Sequence, residues 1–243
     1  MKRWMIWSAA LLAALTIASS AAARTYAIYY DAIGGHGTTI VLTNLEGEKT
    51  TASLSAYSSG GEEVAFVEVS LAGFASEAVF LEERLEVQSG RTWGLVRVET
   101  PGRIALAAWI RDEYGWLSIE NVSTPLTVPD ETEYSGYWFA LNYANTPNRT
   151  TSLSLVNPLD EQIIGEIYLY DADGNRASIE PFELAPFSSA YVVLSDELEV
   201  TEATWGLADV HVSRPILLAA EYMDAAGALI DVDVVSRFYL VEP

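Results

Sequence analysis

The chain has 243 residues, half of them hydrophobic, with 34 Asp and Glu against 13 Lys and Arg, a formal net charge of −21 and no cysteine. So acidic a surface makes nucleic acid and anionic membranes poor partners. The lack of cysteine excludes disulfide scaffolds, thiol catalysis, cysteine-based metal sites and lipid attachment through a cysteine.

The first element is Met1–Ala23, MKRWMIWSAALLAALTIASSAAA, in which Lys2 and Arg3 precede a short apolar run that ends in Ala21-Ala22-Ala23. It reads as an export signal cleaved after Ala23, because the apolar part is shorter than the ~20 residues that a membrane-spanning helix needs. The mature chain is expected to start at Arg24, to be secreted or periplasmic, and to contain no membrane span. Next come runs of five to nine residues with alternating apolar side chains, TYAIYY, TTIVLTN, TASLSAY, EVAFVEVSL, EAVFLEE, TWGLVRVE, IALAAWIR and WLSIENV, broken by Gly, Asn, Asp and Pro. These are expected strands. A linker is expected over 123–136, where Pro125, Pro129 and acidic residues interrupt the pattern. A second series follows, FALNY, TSLSLVN, GEIYLYD, ASIEPFEL, SAYVVLS, TWGLADVHV, ILLAAEYM and LIDVDVV, and the terminal RFYLVEP has a β-like composition that suits either half.

The two series are copies. Asn44 aligns with Asn157, Tyr57 with Tyr170, Gly61 with Gly174 and Phe74 with Phe187; after a loop shorter by one residue in the second copy, Trp93 meets Trp205, Gly94 meets Gly206 and Ile104 meets Ile216. Duplication followed by drift tolerates such a loop change. The expected fold is therefore all-β, two tandem antiparallel β-sandwiches over 24–122 and 137–243, each long enough to fold alone. Val156-Asn157-Pro158, the run Leu169-Tyr170-Asp171-Ala172-Asp173-Gly174-Asn175, Leu184-Ala185-Pro186 and Ser213-Arg214-Pro215-Ile216 resemble the Ig-like or fibronectin-III-like sandwich modules found in tandem in exported bacterial proteins. That resemblance implies a fold and no chemistry. The Cys-Trp-Cys spacing of antibody domains is absent.

Candidate chemistry is sparse. His36 stands in a Gly-rich loop, Gly34-Gly35-His36-Gly37, where a lone imidazole suggests no reaction. Asp209 and His211 share a strand face, but their counterparts are Arg97 and Glu99 and the intervening Val210 matches Val98. They read as solvent-facing polar positions rather than an acid–base pair. Asp171 to Asn175 has the start of a calcium loop without its sixth-position Gly or closing Glu, so a hairpin turn is expected. No cofactor is implied; Ca²⁺ could collect at carboxylates such as Asp231 and Asp233, with no ligand set identified. Asn121-Val-Ser123 and Asn148-Arg-Thr150 match the glycosylation triplet, a pattern common by chance. Trp93 and Trp205, each followed by Gly, read as core anchors.

Binding residues are expected at the hairpin from Ile104 to Leu117. Ile104, Leu106, Ala108 and Ile110 alternate toward the core and match Ile216, Leu218, Ala220 and Tyr222, so Trp109 points outward, as its charged counterpart Glu221 suggests. If the turn is Asp112-Glu113-Tyr114-Gly115, Arg111 pairs with Trp116. Trp109, Arg111, Tyr114 and Trp116 then form an aromatic platform for a sugar ring or a protein, or else cover the junction between the copies. The function read from the sequence is a non-enzymatic exported binding, scaffold or adhesion module whose partner is a protein or polysaccharide at the cell envelope. The alternative is a carbohydrate-binding module using the exposed aromatics of the first copy.

Overall fold

Alternation sets the layers. In β1 (Arg24–Ile33), β3 (Thr50–Ser58) and β6 (Arg91–Thr100), residues such as Ile28, Leu54 and Val96 point to one side and are buried. They meet Ile40 and Leu42 of β2 (Gly37–Asn44) and Leu106 of β7 (Ile104–Asp112) in a shared core. One sheet has the order β1-β6-β3-β4, with β4 at Glu63–Leu71, and the other has the order β5-β2-β7-β8, with β5 at Ser76–Phe80 and β8 at Gly115–Val122. A computed structural model describes residues 23–33, 35–84, 91–112, 115–122, 125–126, 136–197, 204–226, 229–235 and 239–241. The signal-like stretch Met1–Ala22 and most of the expected linker lie outside them.

The second copy repeats the plan. β9 (Gly136–Thr146), β11 (Ile163–Asp171), β12 (Arg176–Leu184) and β14 (Thr204–Val212) run β12-β11-β14-β9. The facing strands are β10 (Arg149–Val156), β13 (Ser189–Val193), β15 (Leu217–Asp224) and β16 (Leu229–Val235), with β10 between β13 and β15. A short pairing of β9 with β10 at the corner joins the halves into one nine-stranded sheet. Phe139, Leu155, Ile167, Val210 and Leu218 fill its core. The terminal segment contributes β17 (Tyr239–Val241), which pairs with β9 of the second sandwich, Tyr239 opposite Trp138. In the first sandwich the chain after β8 does the corresponding job, the Leu126 amide donating to the Thr25 carbonyl at 2.7 Å.

Repeated residues make repeated joints. Asn44 and Asn157 are buried, and each side-chain amide holds two loops: Asn44 Nδ2 donates to the carbonyls of Glu48 and Ala72, and Asn157 Nδ2 to those of Glu161 and Ala185. Their Oδ1 atoms accept from the amides of Glu46 and Leu159. The expected turn at Asp171 forms, with Asp171 Oδ1 accepting from the amides of Asp173 and Asn175 and Gly174 at φ 82°. The Asn175 side-chain amide, which donates to Asp171 Oδ2 at 3.1 Å, and with it these backbone donors hold the Asp171 carboxyl below its usual range. The expected strands EAVFLEE and SAYVVLS end early. Each gives way to one helical turn, α1 (Leu81–Arg84) and α2 (Leu194–Glu197), which buries Leu81 or Leu194.

The sandwiches pack face to face. The outer side of β1-β6-β3 presents Ala27, Tyr29, Leu95, Tyr57 and Trp93, and these close on Val156, Leu217 and Phe187 of the second sandwich. Phe187 stacks on Tyr57 at 4.6 Å between ring centroids, Arg97 lies over the same Phe187 ring at 5.5 Å, and Trp93 meets the edge of Tyr191. Tyr29 and Ser154 both donate to Glu221 Oε1, at 3.0 and 2.8 Å. The result is four stacked sheets in the order β5-β2-β7-β8, β1-β6-β3-β4, β13-β10-β15-β16 and β12-β11-β14-β9. Along one edge β8 runs beside β16.

This packing corrects two expectations. Trp93 and Trp205 are not core anchors: Trp93 packs between the sandwiches and Trp205 is 61% exposed. The reason is the strand period, since Val96 and Val98, or Val210 and Val212, already occupy the inward side. The glycines beside them do serve close approach, because a Cβ on Gly94 would lie 2.5 Å from the Tyr57 carbonyl oxygen and one on Gly206 would lie 2.0 Å from that of Tyr170. The charged outer positions are not all solvated either. Glu221 points away from its own core yet is 7% exposed, because the first sandwich covers it. Arg97 is likewise drawn into the junction.

Candidate binding surface

The two outermost sheets of the stack leave one face each free of the other sandwich. On the second sandwich this face is built by the alternate residues of β9, β14, β11 and β12. Inward-pointing Phe139, Val210 and Ile167 leave Trp138, His211 and Tyr168 on the outer side, brought together because Val210 pairs with both Phe139 and Ile167. The His211 ring lies 5.1 Å from Tyr168 and 6.1 Å from Trp138. His211 Nε2 is 3.2 Å from Asp209 Oδ1, and the Tyr168 hydroxyl donates to Glu166 Oε2. Burial pushes the Asp209 carboxyl up, with His211 pulling it down, and the bond to Glu166 raises the Tyr168 phenol.

Beside this cluster is an open groove of about 670 Å³, lined in part by Ile164, Glu166, Pro181, Phe182, Glu183 and His211. Aromatic walls, an imidazole and two carboxylates suit stacking and hydrogen bonding to a polar ring, or a basic side chain. At the other end of β14 the same face is apolar, with Trp205 and Leu207 exposed and Tyr170 beside them. Asp209, expected in solvent, is 9% exposed, since its neighbours on this face are large.

The sequence-derived residues are only partly gathered. Trp109 stands on the outer side of β7, half-buried, opposite Thr39 and Ile119, while Ile104, Leu106, Ala108 and Ile110 are buried as the alternation predicts. Arg111 is exposed and pairs with Trp116, after a register shift between Ile110 and Arg111. Tyr114 lies outside the described residues, and Trp116 is described in its backbone alone. Because β8 runs beside β16, the hairpin reaches the junction between the copies. His36, expected to be alone, pairs with Asp31 through Nδ1 and Oδ2 at 2.6 Å, Asp31 being held under the loop by its own strand. Among the described residues no three His, Asp or Glu side chains converge as a metal site; Asp231 and Asp233 are in β16, where their side chains are not described.

The Trp138, Tyr168 and His211 cluster was not foreseen. Its signal was present in the alternation of GYWFALNY and GEIYLYD, which puts Trp138 and Tyr168 on outer sides; only the pairing of β9, β14 and β11 brings them to one place.

No protein-family model matches the chain, and no curated protein matches it. Among solved structures it is similar to a glycosyl hydrolase family 2 member from Bacteroides cellulosilyticus (11% identity, 89% of this chain and 30% of that chain, TM-score 0.19). It is similar also to a β-glucuronidase from Bacteroides uniformis (11% identity, 89% and 26% covered, TM-score 0.19) and to one from Ruminococcus gnavus (11% identity, 89% and 34% covered, TM-score 0.19). This chain spans about a third or less of the length of those proteins, and superposition this loose carries no argument about chemistry.

Proposed function

We propose that this protein is a non-enzymatic exported binding or scaffold module that works through the outer faces of its stacked sheets, its partner being a protein or polysaccharide at the cell envelope. The observation that supports this reading most is the face of the second sandwich. On a chain of net charge −21 it exposes Trp205, Leu207, Ile164 and Ile179, and exposed apolar patches on an otherwise acidic surface mark contact sites. The export signal over 1–23 fits the same reading.

A second reading, carbohydrate binding, is favoured by the groove, where Phe182 stands with Glu166, Glu183 and His211, and by the Trp138 and Tyr168 rings that flank His211 beside it. The hairpin residues Trp109, Arg111, Tyr114 and Trp116 are its other candidate platform. Titration calorimetry against a panel of soluble polysaccharides tests it with Trp138→Ala and Trp109→Ala compared separately. If the groove binds glycan, Trp138→Ala weakens binding about ten-fold or more while Trp109→Ala leaves it unchanged. Loss through Trp109 alone moves the site to the first sandwich. No heat from any glycan removes this second reading and leaves a protein partner.

A further inference from the structure

We propose that copies of this chain associate head to tail, the Trp205 face of one second sandwich docking on the β5-β2-β7 face of the next copy's first sandwich. This contact would repeat the one that already joins the two sandwiches within a chain. The proposal does not rest on glycan or other partner binding, since its template is internal.

The residues of the internal junction recur on the free face. Ala27, Tyr57, Trp93 and Leu95 of the first sandwich have Ala140, Tyr170, Trp205 and Leu207 as counterparts, identical at every position. Leu95 is fully buried in the junction, whereas Leu207 is 36% exposed and Trp205 61%. The receiving side recurs as well. Phe187, which stacks on Tyr57, has Phe74 as its counterpart; both hold φ at 56°, and each amide donates to the matching carbonyl, Leu159 for Phe187 and Glu46 for Phe74. A Phe in the left-handed region is a strained conformation that the chain keeps twice. Phe187 sits in a contact that uses it, while Phe74 is 74% exposed.

From Phe74 to Trp109 the outer face of β5-β2-β7 carries no charge, and Arg111 stands at its far end. Val41, Thr43, Ala105 and Ala107 replace Ser154, Val156, Leu217 and Ala219 of the covered face, and the buried carboxylate of Glu221 is replaced by Trp109. Two junction features are not reproduced. Arg97, which lies over Phe187, becomes Asp209, and Tyr29 becomes Asn142, so the intermolecular contact is weaker than the internal one. Because the two free faces are on opposite outermost sheets, they cannot meet within one molecule, and their unlike surfaces make a heterologous contact that can continue from copy to copy. With so much negative charge on every copy, added salt screens repulsion and strengthens association.

The test is sedimentation velocity on the purified protein from micromolar to millimolar concentration, at low and high salt. Two variants are compared with it: Trp205→Ala with Leu207→Thr on the donor face, and Phe74→Ala with Val41→Lys on the receiving face. Each must first show a wild-type circular dichroism spectrum; a donor or receiving variant that misfolds is replaced by Trp205→Ala or Val41→Lys alone. The expected result is growth beyond dimers for the wild type, favoured by salt, and at least about ten-fold weaker association for each variant alone. An equimolar mixture of the two variants should form dimers and stop, because each retains one intact face. A wild type monomeric throughout the range overturns the proposal. So does a mixture that forms no dimer, or a closed wild-type dimer that only the Trp205 variant disrupts.

Discussion

Glu221 is a buried carboxyl that is costly to keep charged. Removal from water raises its pKa, Asp31 of β1 adds repulsion, and the hydroxyls of Ser154, Tyr29 and Tyr191 work against both. A carboxyl whose folded pKa lies above its unfolded value holds more protons when folded across the window between the two. Its contribution to stability is therefore largest below the unfolded value and is lost as pH rises through the folded one. Glu221→Gln, which keeps an acceptor for Tyr29 and Ser154 and removes the charge, is expected to raise the melting temperature at pH 8 and to change it little at pH 4. A variant that melts lower than the wild type at pH 8 would show the ionised carboxylate to be favourable. The sequence pointed the other way here, because a charge on an outer strand position ordinarily means solvent. Alternation told correctly which way Glu221 points from its own core. It carried no information on what covers that outer position, and a Trp followed by Gly in both copies reads as a core anchor although the strand period turns Trp93 and Trp205 outward.

At the scale of elements, strands were legible wherever one face is buried. The pairing of Arg111 with Trp116 and the hairpin at Asp171 follow from local pattern and turn chemistry, whereas the shift that sets Ile110 opposite Ser118 does not. The ends of β5 and β13 were not, since Leu-Glu-Glu-Arg and Leu-Ser-Asp-Glu turn helical to bury a leucine, a tertiary gain that no short window records. Assembly of Trp138, Tyr168 and His211 needed three strands to be placed in order, which pattern alone does not do. β14 and β11 also approach so closely at Gly206 that a side chain has no room against the Tyr170 carbonyl. Gly206→Ala is expected to destabilise the protein by about 2 kcal/mol, read from chemical denaturation, whereas Gly174→Ala, with open space around its Cβ position, costs only the strain of its positive φ.

At the scale of the molecule, the two cores are separate and the third cluster joins them. We expect residues 24–126 and 137–243, expressed apart, each to melt cooperatively but below the intact chain. The first half should lose more, since it exposes Ala27, Tyr29 and Leu95. If neither half melts cooperatively, the sandwiches are one folding unit. Ending the first half at Val122 removes the bond from Leu126 to Thr25 and lowers its melting further. Duplication was plain in the sequence; stacking was not, because nothing in one copy distinguishes the outer face that meets its twin from the one left free.

Each sandwich is closed by the chain that follows it, β17 along β9 and the Leu126 segment along β1. At β17 the closing strand and the strand it covers are loaded from the same end, since Val241 lies opposite Gly136. Tension applied at Arg24 and Val241 would therefore peel β17 from β9 one hydrogen bond at a time rather than shear the two along their length. A stretched molecule would first lengthen by shedding β17, giving way at low force while both cores stay shut.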